Sequence, residues 1–359
     1  MAGRALVAVV QASPTTILDA IEHVLQLAEL GPDAVWPTRL LIDQRRRRPF
    51  PAANTTPWQL DGALRALGLA ASVMQNPRTW RTRFGPRDPY GYAAVMRSNT
   101  AVGLSLASRV PVPLDSTFPT LRQVVGEEVQ MPQAMQNAQL LTLPTLKTDA
   151  LVGLGGTLSV LASALLPDWQ RVPPALLPSL LVDCLALQRT VSPQIGGLID
   201  GTTAALGAGP YRLRPQVRNL LLASTDPIAL DAVAARLLGR DPLRDVPYLR
   251  IAQERGLGVA DLARIELVGD QAALATPAPL AERLRPGLAA RLARTPFANL
   301  AFATESLWYE RLLWALRDRD LFESWLLHSP WGRLFGEYQR NAYGRAPQPR
   351  PRANPTLKS

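Results

Sequence analysis

Short apolar runs alternate with stretches of helical periodicity along most of this chain, and that alternation limits the fold more than any other feature. Ala5–Val10, Arg39–Asp43, Ala70–Met74 and Ala101–Ala107 read as strands. Between the first two, Ser13-Pro14 predicts a helix start, and Ile17, Ile21, Val24 and Ala28 follow at helical spacing. Thr56-Pro57 opens a second helix, with Leu60, Leu64 and Leu67 on one face and Gly68 at its end. The pattern continues with strands at Gln139–Leu143, Ile195–Ile199, Asn219–Ala223 and Ile265–Val268. Helices are predicted over Thr157–Leu166, Ala175–Leu187, the run from Asp226-Pro227 to Leu238, and Pro247–Arg255. This predicts an α/β fold, a parallel or mixed sheet flanked by helices, over residues 1–270. No internal repeat is visible.

After Asp270 the character changes. Residues 271–344 read as an Arg/Trp-rich helical extension, with Trp308, Trp314, Trp325 and Trp331 close together. Basic and aromatic residues at helical spacing can lie on a membrane surface, dock on their own domain, or meet a partner or a second copy through 281–344. The acidic Asp318, Asp320 and Glu323 favour docking on protein. Residues 345–359 are Pro-rich, carry four basic residues and no acidic one, and predict a disordered tail.

Composition excludes several chemistries. The 359 residues include one cysteine, Cys184, so an intrachain iron–sulfur cluster or a Cys-based zinc site is ruled out. His23 and His328 lack a ligand pattern around them, and no metal ligands are assigned. The net charge is +10, from 39 Lys+Arg against 29 Asp+Glu. A basic surface attracts nucleic acid, anionic lipid and acidic proteins alike, but no nucleic-acid-binding motif accompanies it, which argues against nucleic acid. No signal peptide or spanning segment stands out. Ala150–Pro167 is apolar, but its glycines and hydroxyl residues fit a buried loop and helix. A cytoplasmic protein is expected, with peripheral membrane contact open.

Lys147 is the most informative residue. Thirty-seven of the basic residues are Arg, and the other Lys is Lys358. An interior Lys suggests a task that needs a compact ammonium. It stands past a predicted strand end, before Thr148 and Asp149, and Gly153, Gly155 and Gly156 follow before a helix. Strand ends, glycine backbones and helix N-termini all suit an anion. Asp200-Gly201 follows another strand, where the carboxylate could orient a hydroxyl or a metal, or simply make a turn. Asp226 is most simply a helix cap. Asp231 lies about 140° around that helix from Asp226, which weakens a paired-carboxylate site. Arg45–Arg48 could clamp phosphate or be a solvated loop. Cys184, in an apolar helical run, reads as a buried small hydrophobe.

These same segments resemble the domain of unknown function family 362. Leu140–Lys147 (LLTLPTLK) is similar to its strand ending P-x-L-K-T-H, and Leu198–Pro210 to its D-G…G-x-G-P segment. Ser224–Gly239 is similar to its D-P-x-A-x-D-A-x-A-A-R-x-x-G helix. The resemblance implies an α/β fold and no shared activity. The ferredoxin-type cysteines of some members are absent. The family's His after Lys-Thr is Asp149 here, and its Lys-Asn pair falls on Ser159-Val160. Its Lys-Pro-Asn-like turn after the early strand is Asp43-Gln44-Arg45.

Two readings follow. In the first, the chain binds a small anionic or phosphorylated ligand. Lys147 and Asp200 carry the chemistry, and Thr148, Asp149, Gly153, Gly155, Gly156, Gly201, Asp226 and Asp231 line the site. In the second, it is a non-catalytic scaffold that docks through its C-terminal helices. The first predicts Lys147, Thr148 and Asp200 in one pocket. The second predicts an exposed apolar stripe along 307–331. Whether the chain is an enzyme, and which cofactor it would use, stay open.

Overall fold

The computed structural model describes residues 4–31, 38–44, 50, 52–68, 71–75, 81–82, 85–86, 90–149, 151–167, 169, 172–192, 194–208, 212–274 and 308–343. The expected Arg45–Arg48 clamp and the 345–359 tail lie outside these residues, as do 281–307 of the extension.

The chain begins β1 (Ala5–Gln11), α1 (Ile17–Leu27), β2 (Thr38–Ile42), α2 (Pro57–Leu67) and β3 (Ser72–Gln75). A two-stranded ribbon, β4 (Arg81–Thr82) with β5 (Gly85–Pro86), precedes α3 (Tyr92–Ser98) and β6 (Gly103–Ser105). β7 (Arg109–Pro113) and β8 (Glu128–Pro132) form a hairpin around α4 (Pro119–Val125). Then come β9 (Gln139–Leu143), β10 (Thr145–Asp149), β11 (Gly153–Leu154), α5 (Thr157–Leu165) and α6 (Leu177–Val191). The long pair β12 (Ile195–Ala208) and β13 (Arg212–Ser224) leads to α7 (Pro227–Leu237), α8 (Pro242–Asp245), α9 (Pro247–Glu254) and β14 (Ile265–Gly269).

Ten of these strands form one mixed sheet in the order β14-β1-β13-β12-β9-β2-β3-β6, with β10 on β12 and β11 on β10. The β2, β3, β6 and β9 neighbours are parallel, whereas β13 runs antiparallel between β1 and β12. Successive residues of a strand face opposite sides. Accordingly Leu140 joins one apolar layer and Leu141 the other. Helices α4, α5, α6, α7 and α9 cover the first face, and α1, α2 and α3 cover the second. The expected fold class holds.

Two local expectations need correction. Ser13-Pro14 does not cap α1. It forms a turn before the cap residue Thr16, and the Ser13 hydroxyl bonds those of Thr15 and Thr16. Lys147 does not stand in a loop past a strand end. It is the middle of β10, because the chain resumes as a strand directly after Pro144 and pairs with β12, Thr145 opposite Asp200. The Thr56 cap of α2 is as expected, and a reciprocal bond from Gln59 completes a capping box.

A π-helical segment (Tyr309–Asp318), α10 (Arg319–His328) and α11 (Pro330–Tyr343) follow at the C-terminus. Trp314, Phe322, Trp325, Trp331 and Phe335 sink into the second apolar layer, and α11 packs against α2 and α3. The aromatic stripe of the extension is therefore docked largely on its own domain.

Candidate functional site

β2 and β9 end side by side, β10 begins where β9 ends and continues along β12, and the segment 52–56 crosses at this junction before α2 begins. The Lys147 ammonium, 6% exposed, reaches Asp43 Oδ2 at 2.7 Å, Thr145 Oγ1 at 3.0 Å and the Ala53 carbonyl at 3.1 Å. Asp43 itself is fixed by Thr55, whose hydroxyl accepts from the Asp43 amide and donates to the Leu143 carbonyl. Thr145 donates to the Ala52 carbonyl. The ion pair thus ties β2, β10 and the crossing segment together.

Asp200 adjoins this cluster through its register partner Thr145. Its Oδ2 accepts from Thr56 Oγ1 at 2.5 Å and Trp58 Nε1 at 2.8 Å, and its Oδ1 accepts from the Thr202 amide at 2.7 Å. Burial pushes this carboxyl above its ordinary range, against the opposing pull of these donors. Thr56 does two jobs, since its oxygen also caps α2. Gln59 clamps the neighbouring backbone through the Pro144 and Leu198 carbonyls.

The remaining expected residues lie elsewhere. Thr148 Oγ1 exchanges bonds with the Gly207 amide and carbonyl on β12. Asp149 accepts from the Leu151 and Val152 amides and faces Arg240. The glycines pack on the opposite face of the sheet from Lys147. Gly153 takes φ +91°, which closes the β10–β11 turn. Gly155 donates to the Lys147 carbonyl. Gly201 lies against the Leu220 carbonyl of β13.

Gly156 leads into α5, whose N-terminus was expected to attract an anion. The protein supplies that anion itself. Asp231 accepts from the Thr157 amide at 2.8 Å and from Tyr248 Oη at 2.8 Å, and it sits where a Cβ on Gly156 would be. Its burial raises its pKa to about 6. Asp226 caps α7 through the Ile228 and Ala229 amides and also accepts from Val259. So the ten expected residues do not share one site: Lys147 and Asp200 adjoin in one centre, Asp231 and Gly156 form a lock on the opposite face of the sheet, and Thr148, Asp149 and Asp226 serve local backbone contacts.

The sequence pattern described as Domain of unknown function (DUF362) matches residues 47–236, more than half of the chain. The chain belongs to that family. No curated protein and no solved structure matches it. The DUF362 match spans Lys147, Asp200 and the α2 cap but begins after Asp43. Asp43 stands where the family resemblance places a Lys-Pro-Asn-like turn, and here its carboxylate neutralises Lys147. Sequence reasoning gave Asp43 and Trp58 no role, and it read Thr56 only as the start of α2, not as a partner of Asp200. A signal was present for Asp43, as a carboxylate directly after a parallel strand.

The C-terminal helices close over this centre. Trp58, which holds Asp200, packs against Trp331 with ring centroids 5.4 Å apart and meets Phe335 and Tyr338 at 6.4 and 6.5 Å. Tyr338 donates to Asp61 on α2, and Trp331 Nε1 donates to Asn219 Oδ1. Between these rings and the sheet lies a cavity of about 10 Å³ lined by Thr56, Trp58, Tyr90, Thr203, Trp325 and Phe335. Among the described residues the hydroxyls of Thr202 and Thr203 have no hydrogen-bond partner. No group of three or more His, Cys, Asp or Glu suited to a metal occurs among the described residues.

Proposed function

We propose that this chain is a non-catalytic DUF362 scaffold that acts by docking through its C-terminal helices. One observation carries the reading. The Lys147 ammonium is paired with Asp43, and the Asp200 carboxylate is held by Thr56 and Trp58, beneath the chain's own aromatic helices. Small-molecule sites typically offer about 300 Å³ or more, whereas this cavity is about 10 Å³. The charge balance points the same way, because Asp43 already answers Lys147 and a bound anion would have to displace it. Meanwhile Trp308, Leu312, Leu316 and Leu327 of the extension are exposed.

The two unpartnered hydroxyls favour a second reading, ligand binding at the same centre, since buried hydroxyls are normally satisfied. The cavity is close to the minimum for one water, which could bond Thr203 equally well. A thermal-shift screen against phosphorylated metabolites, nucleotides and divalent metals separates the readings. The scaffold reading expects no ligand-dependent rise in Tm. A rise present in the wild type and lost in Lys147→Met/Asp43→Leu would overturn it.

A further inference from the structure

We infer that one buried water molecule fastens the C-terminal helices to the sheet, bound between Trp325 of α10 and Thr203 of β12. This goes beyond the scaffold reading, which says what the extension does and not what holds it. Two buried polar atoms carry the inference. Among the described residues, Trp325 Nε1 and Thr203 Oγ1 have no hydrogen-bond partner within the chain. Trp325 is 8% exposed and Thr203 4%, so bulk solvent does not serve them. Both residues line the same cavity of about 10 Å³, one from each side of the joint between α10 and β12. Buried donors and hydroxyls are normally satisfied, and an unpaired one is costly.

The walls decide the occupant. The cavity is about the size that holds one water and is too small for a polyatomic ligand. An indole N–H is a donor only, so Trp325 offers nothing to a cation. Thr56 and Trp58 also line the cavity, and both donate to Asp200 Oδ2. A carboxylate therefore stands directly behind this wall and opposes an anion. A water accepts from Trp325 Nε1 and donates to Thr203 Oγ1, which satisfies both groups. The rest of the joint is apolar, with the Trp325 ring 6.1 Å from Phe322 and 5.8 Å from Phe335. Ring contacts tolerate sliding. Two directional bonds through one water fix where α10 lies on β12.

The test is nuclear magnetic resonance of the full-length protein, reading the Trp325 indole proton, which is assigned by its disappearance in Trp325→Phe. A cross-peak is expected to a water that stays bound for longer than the protein takes to tumble. Thr203→Val keeps the side-chain shape and removes the hydroxyl, and it should abolish that cross-peak. Thr203→Ser keeps the hydroxyl and should retain it. A crystal structure of the wild type needs no variant and stands even if Thr203→Val fails to fold. It should show one water within hydrogen-bond distance of both Trp325 Nε1 and Thr203 Oγ1. No bound-water signal, an ion in the cavity, a direct bond between Trp325 and Thr203, or a cross-peak that survives Thr203→Val would overturn the inference. These failures leave the scaffold reading standing, because only a Lys147-dependent ligand shift removes that.

Discussion

Lys147 and Asp43 form a pair whose worth depends on both members. Taking an ammonium and a carboxylate out of water is costly, and their mutual attraction roughly offsets that cost only while both are present. Asp43→Asn should therefore destabilise the protein by about 3–5 kcal/mol in urea unfolding, by leaving the ammonium buried and unanswered. Lys147→Met/Asp43→Leu should recover most of that loss. Asp231 gives a second residue-scale test. Its folded pKa, about 6, lies above its ordinary 3.8. The folded state thus holds this proton more tightly than the unfolded state. The resulting stabilisation is complete below about pH 3.8 and is lost as pH rises to about 6. It amounts to about 3 kcal/mol at most. Asp231→Asn should remove this downward slope from the stability–pH curve, and an unchanged slope would assign it to other groups.

At the scale of elements, the approach of α7 to the start of α5 depends on a residue with no side chain. A Cβ on Gly156 would lie 2.2 Å from Asp231 Oδ1. Gly156→Ala should cost about 3 kcal/mol or more, by forcing the carboxylate off the Thr157 amide. Gly31→Ala is the control, because nothing lies within 4 Å of its Cβ position, and its effect should stay within about 0.5 kcal/mol. The same elements mark what the sequence could reveal. Apolar periodicity and caps were enough for β9, α2, α5 and α7, whose signals are local. β10 was missed because Thr145, Lys147 and Asp149 alternate with residues that give no apolar stripe. Their burial depends on polar partners far along the chain, Asp43 for Lys147 and Ala52 for Thr145. No local pattern encodes a pairing across 104 residues. The glycines before α5 gave an anion signal that was chemically sound, but the anion is Asp231.

In the whole molecule, the sheet separates two layers that do different work. One face holds the Asp231 lock under α5, α6, α7 and α9. The other holds the Lys147–Asp200 centre, over which α10 and α11 bring Trp325, Trp331 and Phe335. Because Trp58 both holds Asp200 and packs on Trp331, the extension and the centre are mechanically linked. Amide hydrogen exchange at Thr202, whose N–H donates to Asp200, reads the closure of that centre most directly. A sealed centre predicts that this amide exchanges only through global unfolding, with the full stability of the protein. In Trp331→Ala it should exchange faster through local opening. Fast exchange in the wild type, at a free energy well below the global value, would mean the centre opens on its own and would contradict the account.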